Sequence, residues 1–209
     1  MAPDHSPPSI LDGWNTLWER GIHPWDNPTP SPALIEVMEQ KPVKDQIPAA
    51  GNALVPGCGR GVDVFYLRNT NRKVYGLDIS PIAVQDCQNQ QKDENIPDSQ
   101  VEFMVGDFFK FDIPKGGFQL IYDYTFFCAI QPEQRPQWGH RMAELISKDG
   151  VLITLMYPLA DHAGGPPFAV SEAAYHEQLD PNFDCLLLDD CPSFPARQGK
   201  EKIAVWRRK

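Results

Sequence analysis

Hydrophobic and polar positions change their period several times along the chain. In LDGWNTLWERG (11–21), Leu11, Trp14 and Trp18 fall three and four apart. That spacing makes one face of a short amphipathic helix, and Gly21 is placed to stop it. HPWDNPTPSP follows, with prolines at 24, 28, 30 and 32 that hold it stiff and extended. ALIEVMEQ resumes the helical spacing, with Ser31 as N-cap and Pro32 at its first position. Beyond a polar loop, short apolar runs alternate with amphipathic ones. The runs predict strands at 52–59, 73–80, 100–109, 118–127, 150–158, 183–191 and 202–209. The amphipathic stretches predict helices at 62–70, 81–92, 132–146 and 171–179, the second and fourth capped by Ser80 and Ser171.

Strands alternating with helices of about ten residues predict an α/β fold: a mostly parallel, seven-stranded sheet with helices on both faces. No helix separates the last two strands, so one edge is expected to be antiparallel. At 209 residues, a single domain over 1–209 is the default, with 1–50 as an N-terminal lid and cap and 51–209 as the core. The formal net charge of −9 argues against nucleic acid, whose phosphates call for a basic field. No apolar run approaches a membrane span, and MAPDHSPPSI has neither the basic nor the apolar part of a secretory signal. Cys58, Cys87, Cys128, Cys185 and Cys191 are scattered without a CxxC pair, which suits a reducing compartment, most simply the cytoplasm, and no metal.

The chemistry concentrates where strands end. LVPGCGRG (54–61) runs from a strand through Gly57, Gly59 and Gly61 into a helix. Such glycines let the backbone approach a ligand closely. Asp78 ends the next strand about 20 residues on, where a carboxylate can accept from ribose hydroxyls. Asp107 and Phe108 follow the third strand, an acid for the adenine amino group and a ring for the adenine face. Glycine turn, acid, acid in that order suits S-adenosylmethionine. A dinucleotide, or glycines and acids serving only turns and caps, are the alternatives.

Trp14, Trp18 and Trp25 precede the sheet. Trp14 and Trp18 read as the buried stripe of a small helix, and all three read as a lid, since a sulfonium cation is attracted to aromatic faces and a lid excludes water; the two readings are compatible. Past the fourth strand, Tyr124 offers a face and a hydroxyl, and Phe126 and Phe127 are candidate walls of a small dry pocket. Tyr157 ends the fifth strand, and the Gly/Pro-rich loop ADHAGGPPF brings His162 as a candidate base and Phe168 as a further lining residue.

With WNTLWERGIHPWD, LVPGCGRGVDV, VYGLDIS, FQLIYDYTFFCAIQPEQRPQW, GVLITLMYPLADHAGGPPFAVS and PARQGKEK, the chain resembles the thiopurine methyltransferase superfamily from Trp14 to Trp206. Within it, the chain is most like the plant halide and thiol (thiocyanate) methyltransferases. The resemblance implies a Rossmann-like class I methyltransferase that uses S-adenosylmethionine and releases S-adenosylhomocysteine. It places Trp14, Trp18 and Trp25 on the cofactor lid, Gly57 in the cofactor turn, Asp78 at the ribose, Asp107 and Phe108 at the adenine, and Tyr124 beside the cofactor. It makes Tyr157 a residue of the acceptor site. Acceptors in that group are halides, bisulfide, thiocyanate and small organic thiols. The enzyme is expected in the cytoplasm, as a monomer or weak homodimer, with no nucleic-acid or membrane partner. Phe168 stands where the plant relatives usually carry Tyr, which leans toward apolar thiols. The expected chemistry is an in-line displacement, with Tyr157 positioning the sulfur and Tyr124 behind it. A larger thiol acceptor, a non-catalytic cofactor-binding protein and an NAD-dependent oxidoreductase are the competing readings.

Overall fold

The computed structural model describes residues 10–209, and the first nine residues of the expected lid lie outside them. Seven strands form a sheet of order β3-β2-β1-β4-β5-β7-β6. They are β1 (Gly51–Pro56), β2 (Arg72–Asp78), β3 (Val101–Val105), β4 (Phe118–Tyr124), β5 (Ile146–Met156), β6 (Phe183–Asp190) and β7 (Lys202–Arg208). The first five pair in parallel, and β7 runs antiparallel between β5 and β6, as the missing helix before it requires. The helices are α1 (Ile10–Glu19), α2 (Pro32–Glu39), α3 (Val62–Leu67), α4 (Pro81–Asp93), α5 (Arg135–Leu145) and α6 (Glu172–Leu179). Ser31, Ser80 and Ser171 cap α2, α4 and α6, accepting from the amides of Ala33, Ala83 and Ala174.

The period-2 alternation of the strands sorts the core onto two faces. Leu120 and Tyr122 of β4, Val151, Ile153 and Leu155 of β5, and Ile203 and Val205 of β7 join α2, α3 and α4 on one face. Ile121, Leu152, Met156, Ala204 and Trp206 face Trp138, Met142 and Leu145 of α5 and Tyr175 and Leu179 of α6 on the other. Nearly all are fully shielded from solvent. Each buried aliphatic or aromatic side chain of this kind stabilises by roughly 1.5–3 kcal/mol, so the central strands are the rigid part of the molecule.

Several boundaries differ from the sequence expectation, and the reason is local chemistry at strand ends. β4 stops at Tyr124, because Thr125 turns left-handed (φ 55°) and Asp123 Oδ1 accepts from the Phe127 amide at 3.1 Å, folding the chain back. β3 ends at Val105, before Gly106, and β1 ends at Pro56, before the glycine turn. The expected helix over 132–146 splits into a 3-10 turn over Pro132–Gln134 and α5, and residue 146 begins β5 instead. These endings, together with the register that sets Pro56 beside Leu77, bring the C-terminal tips of β1 to β5 to one rim of the sheet.

Candidate active site

A cavity of about 1000 Å³ opens at that rim. Its floor is the glycine turn. Gly57 has φ 59°, and a Cβ there would sit 2.6 Å from the Phe126 ring. The Cys58 amide donates to Leu77 O at 3.0 Å, which locks the turn to the end of β2. Asp78 emerges beside it, only 8% exposed. Its Oδ2 accepts from the Gly59 amide at 3.0 Å and its Oδ1 from the Ser80 amide at 2.9 Å. Burial raises its pKa, and these backbone donors pull it back. Each oxygen keeps lone pairs beyond those bonds, so the carboxylate fits a vicinal diol reaching it through the cavity.

Asp107 and Phe108 line the same cavity, two and three residues past β3. Asp107 Oδ1 caps the Phe109 amide at 2.9 Å, and Oδ2 pairs with Lys110 Nζ at 3.0 Å. The acid therefore also serves its own turn. Phe108 is buried, edge-on to Phe109 and Phe126.

The three early tryptophans line the cavity as well, Trp18 packing against the turn 3.6 Å from where a Gly59 Cβ would sit. Trp14 and Trp25 meet edge-to-face at 5.2 Å, and Trp18 stacks on His23 at 4.8 Å. Polar contacts hold this cover down. Ser80 Oγ donates to Asn15 Oδ1 at 3.0 Å. Arg60 Nε donates to Asp26 Oδ2 at 2.7 Å, tying the proline-rich segment to the glycine turn. Arg197 Nη2 donates to Trp25 O at 2.7 Å. Trp14 and Trp18 lie on α1, and Trp25 lies beyond it in the proline-rich segment.

Tyr157, just past β5, lines the cavity as expected, with the Arg197 guanidinium 4.4 Å from its ring centre. Phe126 lines it too. Tyr124 does not: it walls a smaller neighbouring cavity, its hydroxyl donates to Glu201 Oε1 at 2.7 Å, and Arg197 lies 4.9 Å from its ring centre. Burial and Glu201 push its phenol well above the ordinary range. Its hydroxyl thus serves Glu201, and its contribution is a fixed ring. Phe127 is core, not wall, packed against Trp138 and Tyr175 at 4.4 and 4.3 Å. His162 is exposed on its loop, its Nε2 3.0 Å from Pro167 O, so it does not stand in the site as a base. Phe168 is half-buried, pinned through its amide to Cys128 O at 2.7 Å, and lines neither cavity; the loop reaches the main one through Pro166 and Pro167.

Sequence reading assigned no role to Arg197 or Glu201. Arg197 is 7% exposed, and its Nη1 makes no hydrogen bond among the described residues; Glu201 Oε1 lies 3.8 Å from it. The available signal was a lone Arg–acid pair four residues apart in a turn-rich connection, PARQGKE, which reads equally well as surface. Asp123, buried under the site, accepts from Trp138 Nε1 at 2.9 Å, and burial pushes its carboxyl up to about 7.

The family model for thiopurine S-methyltransferase matches residues 10–209. Thiocyanate methyltransferase 1 of Arabidopsis thaliana is 40% identical over 198 residues, 94% of this chain and 84% of that protein. A thiopurine S-methyltransferase of Shewanella loihica is 32% identical over 175 residues, 76% of this chain and 79% of that protein. Among solved structures, a magnesium protoporphyrin IX methyltransferase of Synechocystis PCC 6803 with bound S-adenosylmethionine superposes with a TM-score of 0.69 at 17% identity, over 98% of this chain and 100% of that one. At that identity the likeness shows the fold alone, a class I methyltransferase sheet.

Proposed function

The chain belongs to the thiopurine S-methyltransferase family, and from that premise we propose that its methyl acceptor is a small anionic nucleophile, a thiolate, bisulfide, thiocyanate or halide ion. S-adenosylmethionine-dependent methyl transfer is the chemistry of the family; the bound cofactor supplies a methyl group on a positively charged sulfur. One observation carries the acceptor class. The cavity lined by Asp78 and the lid indoles is also lined by Arg197, a buried guanidinium laid across the Tyr157 ring, whose Nη1 makes no hydrogen bond among the described residues and meets Glu201 only at 3.8 Å. A buried donor of that kind gains most from an anion. Phe168 does not line the cavity, so the reason for favouring apolar acceptors is gone.

The residues divide the work. Asp78 accepts from the ribose hydroxyls, Asp107 takes the adenine amino group on the lone pairs its turn leaves free, and Phe108 covers the ring. Gly57 and Gly59 keep side chains out of the approach. Trp14, Trp18 and Trp25 exclude water, so the acceptor sheds its hydration where aromatic faces favour cations. Arg197 and the Tyr157 hydroxyl orient the acceptor. A thiol of ordinary pKa about 8.5 is already a few per cent ionised near pH 7, and a neighbouring guanidinium raises that share. No side-chain base is needed, and a halide has no proton to lose. The cysteines, all free, support a reducing compartment.

A methylation screen tests the acceptor. With iodide, bisulfide, thiocyanate and several organic thiols, methylated products of the small anions are expected. A second reading, a larger thiol, is favoured by the room of the cavity and its further walls Phe194 and Ala196. Turnover of aromatic thiols alone would replace the first reading with the second.

A further inference from the structure

Beneath the Trp25–Ser31 segment lies a second, small cavity of about 50 Å³. It shares Trp25, Asn27, Gly57, Gly59 and Thr125 with the large one, so the two adjoin at the glycine turn. A single water needs roughly 10–15 Å³ by the same measure, so there is room for a few waters or for one ammonium group. Asp63, at the start of α3, lines this space. Its Oδ1 has no hydrogen-bond partner among the described residues and almost no accessible surface, so a partner in the cavity reaches it only with a small shift of the wall; the residue as a whole is half-buried, and the Ser31 amide acts on the same carboxylate.

A buried carboxylate lacking a partner is costly, and a cation beside it removes the cost. Of the other acids at this end, Asp78 is bonded to the turn and Asp26 is paired with Arg60; Glu201 accepts from Tyr124 on Oε1 and has an unpartnered Oε2, but it lines neither cavity. β1, with the sequence GNALVP, ends without an acid. With ribose assigned to Asp78 and adenine to Asp107, the rest of the cofactor has to run over the glycine turn, toward the opening shared by the two cavities.

We propose that the small cavity receives the α-ammonium group of the cofactor's amino-acid end, with Asp63 as its counter-ion. The inference rests on the cofactor assignment above. The groups around Asp63 agree with it. Arg197 is the cation that acts on it, but without a hydrogen bond; Tyr122 faces it from β4; and Cys58, Tyr124, Asp26 and Arg60 complete the titratable wall, the last two paired with each other. Burial lifts the Asp63 carboxyl to about 7 against these influences, the condition of an acid waiting for a positive partner.

Calorimetry tests it with two ligands, S-adenosylhomocysteine and 5′-methylthioadenosine, which lacks the amino-acid end. Asp63→Asn is expected to weaken S-adenosylhomocysteine at least tenfold and methylthioadenosine less than twofold, the latter also showing that the variant is folded. Equal losses for both ligands, or no loss for either, overturn the proposal. A parent protein that binds neither ligand overturns the cofactor assignment and this inference together. Should Asp63→Asn not fold, the parent decides alone in buffers of different ionisation enthalpy at pH 7. S-adenosylhomocysteine should release up to about half a proton, because a cation draws a group of pKa about 7 into its ionised form. Methylthioadenosine should release none, and equal release for both ligands overturns the assignment.

Discussion

Tyr157 and Asp123 separate what a side chain does for the reaction from what it does for the fold. At Tyr157, Phe keeps the ring that faces Arg197 and removes only the hydroxyl. Tyr157→Phe should therefore lower transfer to a thiol by about tenfold, the worth of roughly one hydrogen bond, and change S-adenosylhomocysteine affinity less than twofold. Steady-state kinetics beside calorimetry check this, and equal losses in both would end the positioning role. Asp123 carries a different prediction. Its folded pKa, about 7, lies above the ordinary carboxyl value, so the folded state binds the extra proton between about pH 4 and 7. Its contribution to stability is greatest at acid pH and is lost as pH rises through 7. Asp123→Asn should thus gain on the parent as pH rises from 5 to 7, by up to about 1.4 kcal/mol per pH unit. Urea unfolding at several pH values measures the gap; a gap independent of pH would contradict the buried, protonated carboxyl. Nothing in the sequence marked Asp123 as buried, because an acid alternating with apolar residues reads as a solvent-facing position. The Trp138 indole and the Phe127 amide, both distant in expectation, are what hold it inside.

Among the elements, the lid is the one whose placement depends on the others. Ser80 caps α4 and also bonds Asn15 of α1. Ser80→Ala should cost about 1 kcal/mol for the cap and loosen α1 as well, seen as faster amide exchange across α1 than across α4. Exchange unchanged in α1 would show that the Asn15 contact does not hold the lid. The caps at Ser31, Ser80 and Ser171 were legible because Ser followed by a helical stripe has a local mechanism, and the same holds for the strands, whose alternation is local. Strand ends were less legible. The left-handed turn at Thr125 and the fold-back onto Asp123 depend on partners that the linear pattern does not display, so β4 was drawn three residues too long and Phe127 was placed on the pocket wall. The glycine turn was legible, since a strand running into Gly57 and Gly59 leaves few other conformations. Arg197 was not, because its burial is created by β5, the Trp25 segment and the β6–β7 connection meeting in space.

As a whole molecule, the protein is a rigid sheet whose strand tips and tryptophan cover surround one cavity. A ligand that binds only the folded state stabilises it by mass action. At a hundredfold excess over its dissociation constant, S-adenosylhomocysteine should add about 2.7 kcal/mol and raise the unfolding temperature by roughly 5–10 °C for a chain of this size. NADH at the same concentration should leave it unchanged, and the reverse would restore the dinucleotide reading of the glycine turn. The proposed function requires more than binding: the sulfur of the bound cofactor has to face the compartment shared by Tyr157 and Arg197 beneath the tryptophan cover. A crystal structure of the S-adenosylhomocysteine complex measures this directly. The account predicts ribose hydroxyls on Asp78 and the thioether sulfur turned toward Tyr157 and Arg197, screened from solvent by Trp14, Trp18 and Trp25. A sulfur turned to open solvent, with those indoles elsewhere, would contradict it.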